Sequence, residues 1–261
     1  THNYFWIFFI TSFIVVFSYL YVFRKYSKYY AASIFIFITL GTYTFFFNGL
    51  RQGLAMAIFA FAIPYLINRN FYRYFLICIF ASLLHSTALL MIPFYILVNL
   101  NIKLIYKLVA TFFGSLILSK YLIAYIASTN ERYEGYAQTS ENSGGVLTLG
   151  FYVIILVILY VGSYIYKIKD KYFIQILAFY ALGVIFMVPV ALLESNPSGP
   201  QRLLPYFTWV LALILPILLK KIDDIYIYSG VALLAIVYFI LIISRFGNLT
   251  PYSINPLFEV F

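Results

Sequence analysis

The sequence predicts an all-α fold, a polytopic helical integral membrane protein, and three observations carry that expectation. Of its 261 residues, 64% are apolar and only 10% are charged, against roughly 25% charged in soluble globular domains. Apolar blocks of about 17–25 residues recur from end to end, the length a helix needs to cross a hydrocarbon core of ~30 Å. Backbone amides in lipid need internal partners, which leaves helices or closed barrels, and these blocks are continuous rather than alternating. About eight transmembrane helices are expected, plus a re-entrant or broken helix pair.

In chain order the expected spans are 4–23, 31–47, 53–67, 108–127, 146–166, 172–193, 203–219 and 225–243. Basic clusters follow alternate spans: Arg24, Lys25 and Lys28; Arg69 and Arg73; Lys103 and Lys107; Lys167, Lys169 and Lys171; Lys220 and Lys221. The net charge of +9 therefore follows the positive-inside rule and does not point to nucleic acid. With these clusters in the cytoplasm, 48–52, 128–145, 194–202 and the tail after 243 lie outside.

Residues 74–102 begin and end beside basic clusters, so they cross an even number of times or not at all. Their 29 residues are too few for two spans of ~20 residues each. A broken, re-entrant pair of half-helices is expected, with His85 and Ser86 near the apex and Pro93 in the return arm. The alternative, one full span, would strand the Lys of 167–171 and 220–221 outside. The scheme puts Thr1 outside just before a span, without an initiating Met, so the 261 residues are expected to be one transmembrane domain and most of a longer protein. The single cysteine, Cys78, excludes an internal disulfide and any cysteine-based metal site.

The cations on the two faces differ in kind. The cytoplasmic set is mostly Lys, whereas the outer set is Arg51, Arg132, Arg202 and Arg245, with Lys120 inside a span near its outer end. Lys near the inner leaflet needs no fixed geometry. Arg presents a planar fork that grips phosphate or carboxylate in bidentate fashion. The outer Arg therefore suggest an anion held at the outer surface, and Arg51, boxed in by apolar sequence, most of all. The competing reading pairs them with Glu131, Glu134, Glu141, Glu194 and Glu259, or with lipid headgroups.

The stretches NGLRQGLAMAIFAFAIPYL and FYRYFLICIFASLLHSTALLMIPFYIL carry a resemblance: they look like the signature of EpsG-type proteins, Wzy-like polymerases of bacterial exopolysaccharide, capsule and O-antigen. The outer-loop NERYEGY, the later QRLLPYF and a tail with Pro251 and Tyr252 are also similar to that family. The resemblance covers about 45–261, and more loosely the first span. It implies a glycosyltransferase that joins oligosaccharide repeat units carried on undecaprenyl diphosphate at the outer face of the bacterial plasma membrane. It also implies membrane lipids and a chain-length regulator protein as partners, with no nucleic acid and no cofactor.

That reaction expels a lipid diphosphate, so developing negative charge has to be stabilised. The only Asp are Asp170, Asp223 and Asp224, all in basic loops and forming no Asp-x-Asp, so Arg would replace metal. Arg51 and Arg202 are the first choices and Arg132 the third. His85, the only His besides His2, suits a general base, with Ser86 orienting it. Glu134 and Glu194 are rival bases, and the other reading of His85 and Ser86 is interhelical hydrogen bonding. Gln52, Tyr133, Tyr136, Tyr206, Arg245 and Tyr252 complete the candidate substrate contacts. Helical spacing points Arg51 and Gln52 about 100° apart. Other classes that remain are a flippase for the same lipid-linked sugars, a glycan ligase and a membrane acyltransferase. A flippase needs charges through both leaflets, and the inner halves of these spans carry almost none.

Overall fold

The computed structural model describes residues 5–129, 144–192, 200–246 and 249–250. Among them are thirteen α-helices and no strand. The chain divides into two compact units, Thr1–Ile92 with Leu211–Phe261, and Pro93–Val210. Among the described residues four helices, Phe5–Tyr26, Gly145–Ile165, Lys171–Leu192 and Ile225–Ser244, are each long and apolar enough to cross a membrane, and counting each of two bent helix pairs as one span makes six.

The first unit starts with α1 (Phe5–Tyr26), α2 (Tyr30–Thr39) and α3 (Thr42–Asn48). The expected span 31–47 is divided between α2 and α3, which are bent by 44°. Gly41 lies between them with φ +74, a left-handed conformation that suits a residue without Cβ. α4 (Leu50–Ala60) and α5 (Ile63–Ile67) likewise divide the expected span 53–67. Pro64 stands in the first turn of α5, so Ala60 loses its donor, and the chain turns through a tight Ala62 N–H to Phe59 carbonyl bond of 2.7 Å.

The next turn reverses the chain without glycine. Arg69 takes φ 55, Asn70 N–H reaches back to the Tyr65 carbonyl at 2.9 Å, and Arg69 N–H to that of Leu66 at 3.4 Å. This is the six-residue closure that satisfies a helix C-terminus. Asn70 then caps α6 (Phe71–Ser82), its side-chain oxygen accepting from Arg73 N–H at 3.2 Å. After α6 the helix stops, His85 is extended (φ −152, ψ 118), and a 3-10 turn (Ser86–Leu90) leads into α7 (Met91–Asn99). The Tyr74 hydroxyl donates to the Met91 carbonyl at 2.8 Å, so the start of α6 meets the start of α7. The segment doubles back on itself, in line with the preferred of the two expectations, with its apex at Leu83–His85.

α12 (Leu211–Ile222) and α13 (Ile225–Leu241), followed by a π-helical turn (Ile242–Phe246), complete this unit. The Ser33 hydroxyl donates to the Ala212 carbonyl, which fixes α2 against α12. Asp224 caps α13 through Tyr226 N–H and Ile227 N–H.

The second unit holds α8 (Leu104–Thr129), α9 (Gly144–Ile165), α10 (Lys171–Leu192) and α11 (Pro205–Thr208). The expected span 203–219 is also divided: a bent pair, Gln201–Thr208 and Leu211–Ile222, meets at 49°. α10 is its core, and a Cβ on Gly183 would overlap the Phe207 ring. Phe94, Phe179 and Phe207 cluster around that contact, with centroids 4.6–6.3 Å apart. The Ser115 hydroxyl donates to the Phe186 carbonyl and Tyr180 to that of Tyr152 at 2.7 Å, joining α8 and α9 to α10. Lys107, expected as a solvated topology charge, is instead 5% exposed and donates to the Val98 carbonyl in the last turn of α7 at 2.9 Å.

Candidate active site

In the first unit the ring contacts set the register. Tyr21 of α1 lies 5.9 Å from Phe61, next to the basic ends at Arg24 and Arg69. Arg51 is ten residues earlier along α4, hence ~15 Å further from that end at the helical rise. Phe59 and Tyr74 rings lie 5.9 Å apart, and α4 and α6 run antiparallel through the turn at Asn68–Asn70. Eight residues back from Phe59 is Arg51, and eight forward from Tyr74 is Ser82, each ~12 Å from the contact. The unit thus brings the first turn of α4 level with the apex that carries His85, and the 3-10 turn after His85 packs on α4.

Gly49 makes this turn of α4 abrupt. It is non-helical (φ −145, ψ 55), no side chain caps α4, and Gly53 N–H bonds back to the Gly49 carbonyl at 2.7 Å. Arg51 in that turn is exposed and has no carboxylate partner among the described residues. Gln52 is 3% exposed, so the two side chains do part company as the helical spacing requires. Gly53 is held clear for the Phe46 ring, which a Cβ there would overlap.

His85 is half-buried and Ser86 exposed. The His85 Nδ1 lies 2.7 Å from the Thr87 hydroxyl, so Thr87 is an orienting residue that the sequence reading missed. In the tautomer protonated at Nδ1, Nε2 keeps its lone pair for a substrate proton.

In the second unit Arg202 is half-buried on the 3-10 turn Pro200–Leu203. The neighbouring Gln201 packs so closely on Gly145 that a Cβ there would overlap its amide. The start of α9 and this turn therefore share one end of the unit. The polar group at the other end comprises Val98 and Lys107, together with Gln175 donating to the Asn99 amide oxygen at 3.2 Å. Tyr206, three residues past the end of the Pro200–Leu203 turn, is fully buried.

Arg132, Tyr133, Glu134, Tyr136, Glu194 and Tyr252 lie outside the described residues. Arg245 falls on the π-helical turn after α13.

Fold and site together define a polytopic helical membrane protein in which an exposed arginine at a helix start comes level with a histidine at a hairpin apex. The model of the EpsG family matches residues 1–254, and the chain belongs to that family. It is accordingly a membrane protein of the polysaccharide-polymerase type. No curated protein and no solved structure matches the chain.

Proposed function

We propose that this protein polymerises polysaccharide from oligosaccharide repeat units carried on undecaprenyl diphosphate, at the outer face of the bacterial plasma membrane and without a metal. The bond from the donor's anomeric carbon to the diphosphate oxygen breaks. A bond from that carbon to an acceptor sugar oxygen forms, and the acceptor hydroxyl's proton goes to a base. Arg51 stabilises the departing diphosphate, presenting a fork suited to phosphate oxygens, and Arg202 is the second candidate for that role. His85, steered by Thr87, takes the proton through Nε2. Gln52, Ser86, Arg132, Tyr133, Tyr136, Arg245 and Tyr252 contact the glycan or its carrier, and Glu134 or Glu194 is the rival base. A chain-length regulator is the expected protein partner.

The observation that carries this reading is the exposed Arg51 in an uncapped first turn of α4, level with His85. Backbone N–H groups at a helix start favour anions, and a cation beside them favours anions further.

The test uses purified protein and a synthetic undecaprenyl-diphosphate oligosaccharide, with product length resolved on a gel. Wild type should give a ladder, and Arg51→Lys, Arg202→Lys and His85→Ala should each collapse it while the protein stays monodisperse. Absence of any wild-type ladder, with movement of the labelled lipid across liposomes, would replace the polymerase with a flippase.

A further inference from the structure

The basic end of the first unit is built as a fixed surface, beyond what a topology signal needs. Arg24 lies over the Tyr30 ring at 5.7 Å. The Lys25 ammonium sits 5.6 Å from the Tyr21 ring and 5.4 Å from the Tyr26 ring. The turn that follows is tied down by Ser27 and Ser33, whose hydroxyls lie 2.6 Å apart, and by Ser33 to the Ala212 carbonyl. Tyr29 in the same turn is within electrostatic reach of Lys220 and Tyr228. The ends of α1 and α12 therefore share one rim.

Two carboxylates stand on that rim, and both are engaged. Asp223 accepts from Lys220 at 2.6 Å and from the Tyr228 hydroxyl at 3.2 Å. Asp224 accepts from the first amides of α13 at 2.8 and 3.0 Å. Arg24, Lys25 and Lys221 are left with no carboxylate among the described residues. Tyrosine faces hold the first two in position without neutralising them. An apolar wall rises beside Lys221, because α13 starts at Ile225 and none of its residues is buried.

We propose that this rim binds an acidic phospholipid, with the phosphodiester on Arg24, Lys25 and Lys221 and an acyl chain along α13. Positive charge near a membrane attracts anionic lipid in general. Here the cations are held by rings, their local acids are spent, and the adjoining surface takes hydrocarbon, so headgroup and chain fit together. The site stands at the opposite end of the unit from Arg51 and does not depend on the polymerase reading.

The experiment measures the melting temperature of the full chain in neutral detergent. It compares added phosphatidylglycerol, phosphatidylcholine and inorganic phosphate, and counts retained lipids by native mass spectrometry. Phosphatidylglycerol should raise the melting temperature by several degrees and remain bound, with phosphatidylcholine and phosphate giving no such rise. High salt should shrink the shift. The combined Arg24→Gln, Lys25→Gln and Lys221→Gln variant should lose the shift while melting like wild type in phosphatidylcholine. The variant Arg24→Lys, Lys25→Arg and Lys221→Arg keeps it, which separates lost charge from lost fold. Equal shifts from the two phospholipids, a shift from phosphate alone, or an undiminished shift in the Gln variant would each overturn the proposal.

Discussion

Arg51 and Lys107 are both cations in strongly apolar sequence, and the structure treats them in opposite ways. Lys107 is almost completely buried and points its ammonium at a carbonyl in the last turn of α7, where the helix dipole is negative and a cation is welcome. Arg51 is exposed in the first turn of α4, where the dipole is positive and a cation is disfavoured. Lys107 therefore stabilises the fold by its position, and Arg51 does not. A cation kept at the unfavourable end of a helix that no side chain caps has its best partner in an anion that comes from outside the chain.

The sharpest way to break that contrast is to change Arg51. On the polymerase reading, Arg51→Gln removes a donor to the leaving diphosphate, and the polymerisation rate should fall on the order of 10²–10³-fold. Arg51→Lys keeps the charge and loses the fork, so it should recover only a small part. Stability should move the other way, because losing a cation from a helix start relieves about 0.3–1 kcal/mol. A clear drop in melting temperature for Arg51→Gln would show that the residue holds the fold together and would end the comparison.

Lys107→Met tests the other half. The Val98 carbonyl would lose its buried donor, a loss worth about 1–3 kcal/mol. A fall in melting temperature is expected, with the polymerisation rate per folded molecule unchanged. A variant as stable as wild type but slow would put Lys107 on the functional side instead.

Close approach offers a smaller version of the same contrast. Gly53 follows Gln52 in the candidate site, and a Cβ there would overlap the Phe46 ring, whereas Gly114 on α8 has nothing within 4 Å of that position. Gly53→Ala should cost about 1–3 kcal/mol by overpacking and disturb the first turn of α4. Gly114→Ala should be neutral or slightly stabilising, since alanine is the better helix former. Thermal melts of the pair in one detergent check this, and equal melting temperatures would refute the packing argument at Gly53.

Much of this architecture is legible in the sequence because lipid allows few backbone solutions. Block lengths and Lys clusters marked the helices, and counting residues between Arg73 and Lys103 was enough to expect the doubled-back segment at His85. Breaks inside apolar runs were not legible. Gly41 interrupts one span, yet Pro189 sits inside a continuous α10, although proline is the stronger helix breaker in water. Neighbouring helices decide which break is realised, and a single sequence does not show neighbours. The same limit hid the burial of Lys107: its partner is the carbonyl of Val98, and backbone groups carry no letter of their own. For the site, the sequence picked out His85 but named Ser86 as its guide, since the extended backbone that turns Thr87 toward the ring appears only in the folded chain.

Asp223 supplies the smallest effect. The hydrogen bond from Lys220, helped by the Tyr228 hydroxyl, holds its carboxyl below the ordinary value of 3.8. A carboxyl lowered in the folded state contributes stability that is present above its ordinary value and is lost as pH falls through the folded one. Both partners are well exposed, at 56% and 64%, so solvent screens most of the attraction. Asp223→Asn should leave the melting temperature at neutral pH almost unchanged and flatten its decline in strong acid slightly. The substitution also releases Lys220 from its carboxylate. If the rim binds acidic phospholipid, the rise in melting temperature with phosphatidylglycerol should then be larger in Asp223→Asn than in wild type. An equal or smaller rise would mean that Lys220 does not face the lipid, and would confine the binding surface to Arg24, Lys25 and Lys221.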